Sequence, residues 1–192
     1  IGQFVIDKVS DLPYIFGYTG RVLSSSFFFF VREKHSYKVL LMQLLFTFIE
    51  ALPLVAILAL AIGSGLYLVG NSLLVSIGQP ELIYMILVMI ISKELGPLLV
   101  GFVVTARSAT AIATEIGGMV TSNQIESYVS FGIDPIAHLA APRFIGVTLS
   151  VFLLNLYFSF CGLIGPFLVG KIVDPVGSAN YFNLLLNELS IS

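Results

Sequence analysis

Two adjacent charges, Lys93 and Glu94, lie at the centre of the otherwise apolar run from Leu82 to Ala106. An ionisable group in the middle of a membrane helix costs about 2.5–3.5 kcal/mol on insertion scales. Such a cost calls for a partner, a wet cavity or a function. Consecutive residues on a helix point about 100° apart, so these two charges do not face each other and each needs its own surroundings. They are candidates for a transport cavity; the alternatives are a structural pair between helices, or a segment that is not a full span. Gly96-Pro97 follows at once. If Glu94 were the proton or cation site of an ion-coupled transporter, that dipeptide would be the expected helix break.

The second polar feature is the segment 107–143, which carries Glu115, Glu126 and Asp134. Ile112, Ile116, Met119 and Val120 recur at about helical spacing, predicting one amphipathic helix from Ala111 to Phe131, closed by Gly132. Asp134-Pro135 predicts a turn and a new helix start. A helix of this kind either docks a soluble partner or rests on the bilayer surface. The residues leave both readings open, although the absence of Lys and Arg from 108–142 weighs against anionic headgroups.

Enzymatic chemistry finds no foothold. The sequence has no GxSxG elbow and no HExxH, and its carboxylates are dispersed. Gly165-Pro-Phe-Leu-Val-Gly-Lys171-Ile172 approaches a phosphate-binding loop, but Ile stands where the magnesium-binding hydroxyl belongs, and the stretch ends an apolar run. No nucleotide site is expected in this chain. His35 and His138 lack ligand spacing, and the lone Cys161 reads as a small buried hydrophobe, so no metal site is expected.

The elements that would hold these residues are membrane helices. Hydrophobic residues make up 57% of the 192-residue chain and charged residues 10%, against about 25% charged in a soluble domain. Mean hydropathy is +1.01. A single soluble core could not take up this apolar surface, and the bilayer is its natural solvent. Three spans are predicted, at Leu40–Val69, Leu82–Ala106 and Phe144–Gly170. Connections at 71–81 and 171–180 carry Gly78-Gln79-Pro80 and Asp174-Pro175 as turn signals. Tyr181–Ser192 reads as the start of another amphipathic helix. Residues 1–38 mix Lys8, Arg21, Arg32, Lys34 and Lys38 with aromatics, a composition suited to a helix lying in the membrane interface. Nothing there has the form of a signal peptide, and a chain opening on Ile1 is expected to lack its true start. Five basic residues precede the first span, none lie between the first and second, and Arg107 and Arg143 flank the next segment. The positive-inside rule then puts the N-terminus and 107–143 in the cytoplasm, with Lys171 a mild exception.

An ordered set of short motifs adds a resemblance. Lys93-Glu-Leu-Gly-Pro97, Ala106-Arg-Ser-Ala109, Thr114-Glu-Ile-Gly117, Gln124 to Glu126, Gly132-Ile-Asp-Pro135 and Pro142-Arg-Phe144 run in sequence over about 50 residues. This block strongly resembles the MlaE (YrbE-type) permeases of the lipid transporters associated with MCE proteins. The spans on either side fit the same layout, so residues 1–192 read as one such domain, C-terminally incomplete. The resemblance implies the membrane subunit of an ABC transporter in the bacterial inner membrane, with five spans of which three are present. Two copies would pair with two cytoplasmic ATPase subunits that bind the ATP, this chain needing no cofactor. An MCE-domain protein would assemble on the far side, and a small STAS-domain protein would be a further partner. The segment 107–143 becomes the coupling segment, with Glu115, Ile116, Met119, Gln124 and Glu126 toward the ATPase. Lys93 and Glu94 join Leu66 and Val69 on the lipid path, where phospholipid or a related lipid is handled. Many members carry Arg where this sequence has Lys93, so the charge is kept and a bidentate grip is lost. Two readings compete with a lipid permease: the ion-coupled transporter using Glu94, and a membrane scaffold that anchors soluble partners and moves nothing.

Overall fold

The computed structural model describes residues 13, 15–27, 37–79 and 82–173. Of the loop expected at 171–180, residues 171–173 continue the last helix, while 174–180 and the amphipathic start at Tyr181–Ser192 lie outside the described residues, as does much of the 1–38 segment. Every described element is helical. In chain order these are α1 (15–27), α2 (Tyr37–Phe48), a 3-10 turn (Ile49–Ala51) and α3 (Leu52–Ser76). Then come α4 (Leu82–Val88), a π-turn (Met89–Leu95), α5 (Gly96–Val104) and a second π-turn (Thr105–Ala109). The series ends with α6 (Thr110–Thr121), α7 (Gln124–Ser130), a third π-turn (Ile136–Ala140) and α8 (Ala141–Val173). Three continuous helical stretches among the described residues are long and apolar enough to cross a membrane: Lys38–Ser76, Leu82–Thr121 and Ile136–Lys171.

All three run beyond their predicted ends. The first continues through Asn71, Ser72 and Ser76, where the sequence predicts a connection from residue 71. Ser72 and Ser76 donate to the carbonyls of Val69 and Leu73 (2.8 and 2.6 Å), which satisfies their hydroxyls without leaving the helix. The helix stops only at Gly78, whose φ of +74° closes a Schellman pair: Gly78 N–H donates to Val75 and Gln79 N–H to Leu74.

The chain falls into two compact units. One holds Phe48–Ala109 together with the chain from Ser150. Its helices present buried rows at steps of four. On α3 the row, begun at Ala51, is Val55, Ala59, Gly63 and Tyr67; on α8 it is Ser150, Leu154, Phe158, Gly162, Pro166 and Gly170. Steps of four are the ridges by which helices interlock. The outward faces are apolar too, with Leu54, Ile57, Leu68, Phe102, Phe152, Leu156 and Phe160 exposed. Helices apolar on all sides belong in hydrocarbon.

Small residues set how closely these helices approach. Pro166 has no N–H to give the carbonyl of Gly162 one turn earlier. Gly63 rests against that carbonyl: a Cβ there would fall on the Gly162 oxygen and 3.1 Å from Cδ of Pro166. Gly162 in turn leaves room for Ile91, whose Cγ2 would lie 2.6 Å from an added Cβ. One crossing therefore joins all three spans.

The other unit holds the chain to Thr47 and Thr110–Leu149. On α2, Gln43 Nε2 donates to Thr47 Oγ1 (2.7 Å), so two buried polar groups satisfy each other. Gly146 of α8 lets Gln43 come within 3.0 Å of where its Cβ would stand. On α1 only Val22 is buried, while Ile15, Phe16, Leu23 and Phe27 are exposed.

We expect Gly63→Ala to destabilise the protein by about 1–3 kcal/mol, because the obstacle is backbone and cannot rotate away. Gly65, which has nothing within 4 Å, tolerates the same change. Thermal unfolding in detergent checks this: the Gly63 variant melts lower and the Gly65 variant melts with the parent.

Candidate functional site

The charged pair sits on an irregular turn. Lys93 and Glu94 belong to the π-turn Met89–Leu95, where Gly96 N–H reaches back five residues to the carbonyl of Ile91. The buried row of this span is Ile83, Leu87 and Ile91, then Gly96, Val100, Val104 and Ser108. The single step of five falls across the turn. Without the extra residue, bulky Leu95 would take the place of Gly96, where an added Cβ already lies 2.7 Å from Oδ1 of Asn155. The turn thus feeds a glycine into the tight contact with α8. Gly96-Pro97 is consequently no break. Pro97 stands in the first turn of α5, where a missing N–H is tolerated, and the helix runs on through Val104. The interruption that an ion-coupled transporter calls for at this dipeptide is absent from the described helix.

Lys93 and Glu94 are both exposed, and among the described residues neither makes a salt bridge. Beside them lies an open apolar groove of about 280 Å³, lined by Leu66, Val69, Gly70, Leu73 and Leu74 of α3 and by Ile86, Leu87 and Ile90. Two of the predicted lipid-path residues, Leu66 and Val69, therefore line one groove. Lys93 and Glu94 are outside its lining, three and four residues beyond Ile90 on the same span.

The single helix predicted from Ala111 to Phe131 forms as two. The chain turns at Ser122-Asn123, between α6 and α7. Thr121 and Ser122 hydroxyls fold back on the Gly118 carbonyl (3.0 and 2.7 Å), and Asn123 takes a left-handed φ of +55°. Short polar side chains compete with the helix ladder in this way, and Asn accepts the left-handed region better than most residues. Glu115, Ile116 and Met119 therefore lie on α6, with Gln124 and Glu126 on the first turn of α7. Gly132 closes α7 as predicted, with φ +73° and the Ile133 N–H donating to Tyr128. Asp134 Oδ1 then accepts the Ile136 N–H (3.0 Å) and starts the next helix, also as predicted. His138 stacks at a tilt on Tyr128, ring centres 5.5 Å apart, and braces that new turn against α7.

Three ion pairs form among the described residues, one of them, Arg21 with Asp134, long at 3.9 Å and exposed on both sides. Arg107, on the second π-turn, pairs with Glu50 on the 3-10 turn. Arg143, on the first turn of α8, pairs with Glu115 (2.7 Å). The available signal was a lone charge flanking an apolar run, a position where a partner is required; nothing in the spacing names the partner.

Comparison with known proteins fits this architecture. Residues 40–192 match the family described as Permease MlaE. A probable ABC transporter permease protein of Rickettsia typhi is 31% identical over 132 residues, covering 69% of this chain and 51% of the relative. One from Rickettsia conorii is 32% identical over 143 residues, 74% of this chain and 55% of the relative. The intermembrane phospholipid transport system permease protein MlaE of Haemophilus influenzae is 27% identical over 160 residues, 83% of this chain and 61% of the relative. The chain thus spans between half and about three fifths of the length of these relatives. With the match running over most of its length and all three spans, the chain belongs to the MlaE permease family.

Proposed function

We propose that this chain is the membrane-embedded part of an ABC transporter permease that moves phospholipid, or a related lipid, between the membrane and an MCE-domain protein. The observation that carries the reading is the apolar groove at Leu66, Val69 and Ile90 with Lys93 and Glu94 just beyond it on the same span. A lipid has this layout, with acyl chains for the groove and a charged head for the turn. The Haemophilus influenzae relative, named for intermembrane phospholipid transport, supports the substrate class.

In this reading the protein lies in the bacterial inner membrane with its N-terminus in the cytoplasm. The exposed apolar side chains of α1 lie in the membrane interface. The full permease has five spans and works as a homodimer. Two ATPase subunits bind and hydrolyse the ATP, so this chain needs no cofactor. A small STAS-domain protein joins on the cytoplasmic side. The ATPase subunits meet the α6–α7 segment, the coupling element, through Ile116, Met119, Gln124 and Glu126. Closure of the ATPases pushes on that segment, and the first and second spans shift to change the shape of the lipid cavity.

Two outcomes follow for the full-length protein purified with its partners. Leu66→Trp fills the groove, and Lys93→Ala removes the side-chain charge that meets the lipid head. Each is expected to lower co-purified phospholipid on the order of tenfold, as a loss of about 1.4 kcal/mol would. Lipid mass spectrometry reads this, and unchanged lipid in both variants counts against the path. Glu126→Arg reverses an exposed charge on α7 and is expected to deplete the ATPase recovered with the permease. Full recovery of the ATPase would remove Glu126 from the coupling surface.

A further inference from the structure

The pair formed by Glu115 and Arg143 has features that docking to a partner does not explain. The Arg143 side chain is 6% exposed and that of Glu115 55%. One guanidinium nitrogen, Nη2, lies 2.7 Å from Glu115 Oε1; the other, Nη1, is buried without a hydrogen-bond partner. Arg143 follows Ala141 and Pro142, both buried, and α8 runs on from it without a break to Val173. The side chain is almost wholly buried there, and Glu115 is the charge paired with it. Were Glu115 to turn toward a cation on another protein, Arg143 would be stranded as a buried charge, which is strongly unfavourable.

We infer that Glu115 and Arg143 form an internal strut that holds α6 against the first turn of α8, so that a push on the α6–α7 segment reaches α8. Glu115 is then a positioning residue, and contact with the ATPase passes to the residues beyond it, Glu126 among them. The inference rests on the coupling role proposed above. It separates Glu115 from the other acidic residues of the segment by what its carboxylate already holds.

The pair is asymmetric, and the asymmetry makes the test. Glu115→Leu strands a buried cation. Arg143→Met leaves only an exposed carboxylate, which water solvates. The full-length permease, co-purified with its ATPase and reconstituted in phospholipid vesicles, is assayed for ATPase retained and for lipid transferred per ATP hydrolysed. Glu115→Leu and Arg143→Met are each expected to cut lipid per ATP on the order of tenfold, because either one removes the link. Arg143→Met added to Glu115→Leu is expected to restore the yield of folded protein, because the stranded charge is gone, and to leave lipid per ATP low, because the link is still missing. Arg143→Lys, which keeps the charge, stays close to the parent. The strut is overturned if the double variant transfers lipid per ATP like the parent, or loses as much as the two singles combined. It is also overturned if Glu115→Leu releases the ATPase and Arg143→Met does not restore it, which marks Glu115 as a docking residue. Normal lipid per ATP in every folded variant overturns it as well, leaving a pair that serves stability alone. If Glu115→Leu does not fold, Arg143→Met and the double variant decide: low lipid per ATP in the folded variants upholds the strut, and parental lipid per ATP overturns it. A parent complex that retains no ATPase would instead refute the coupling role itself, a failure read before any variant is compared.

Discussion

The fold depends on keeping one face of each span in register with its neighbours. Inside hydrocarbon there is no solvent-driven collapse to pull helices together, so close packing of small residues must do it. The rows at steps of four on α3 and α8 supply that contact, with Gly63 set on the Gly162 carbonyl that Pro166 leaves without a donor. The second span keeps its face only by taking one extra residue into the turn at Met89–Leu95. The same turn carries Lys93 and Glu94. π-turns inside helices are found frequently at functional sites, and here a packing requirement explains both the turn and the outward placement of its charges. Gly96 goes inward to α8, and the charged residues that precede it go outward.

Much of this architecture was legible in the sequence. Low charge and long apolar runs sufficed for three spans, because lipid demands helices with internally satisfied backbones. Gly78, Gly132 and Asp134 announced their turns, since each supplies a local conformation or hydrogen bond that few other residues can. The remainder depended on tertiary contacts. Pro97 read as a possible break because a proline removes a donor; only the preceding π-turn shows how the helix absorbs it. Asn71, Ser72 and Ser76 read as a loop, yet their hydroxyls or their place near the helix end let α3 continue. Ile112 to Val120 kept helical spacing up to Thr121, and nothing in the apolar pattern marked the turn at Ser122-Asn123.

The candidate site was legible to a different degree. Lys93 and Glu94 stood out by charge alone. Leu66 and Val69 came from family resemblance, and the groove they line with Ile86, Leu87 and Ile90 is a product of two helices meeting. The partners of Arg107 and Arg143 were invisible, because Glu50 and Glu115 are distant in sequence and no local rule links them. Charges at the edges of apolar helices are costly enough that the fold must supply partners, and here Arg107 pairs with Glu50 in one unit and Arg143 with Glu115 in the other.

The central claim is that the protein works as a lipid permease driven by ATP. Reconstitution of the full-length protein with its ATPase in vesicles, followed by transfer of a fluorescent phospholipid to acceptor, tests it most directly. The account predicts transfer that requires ATP hydrolysis and is indifferent to ionophores. Transfer that continues without ATP and collapses when ion gradients are dissipated would contradict it.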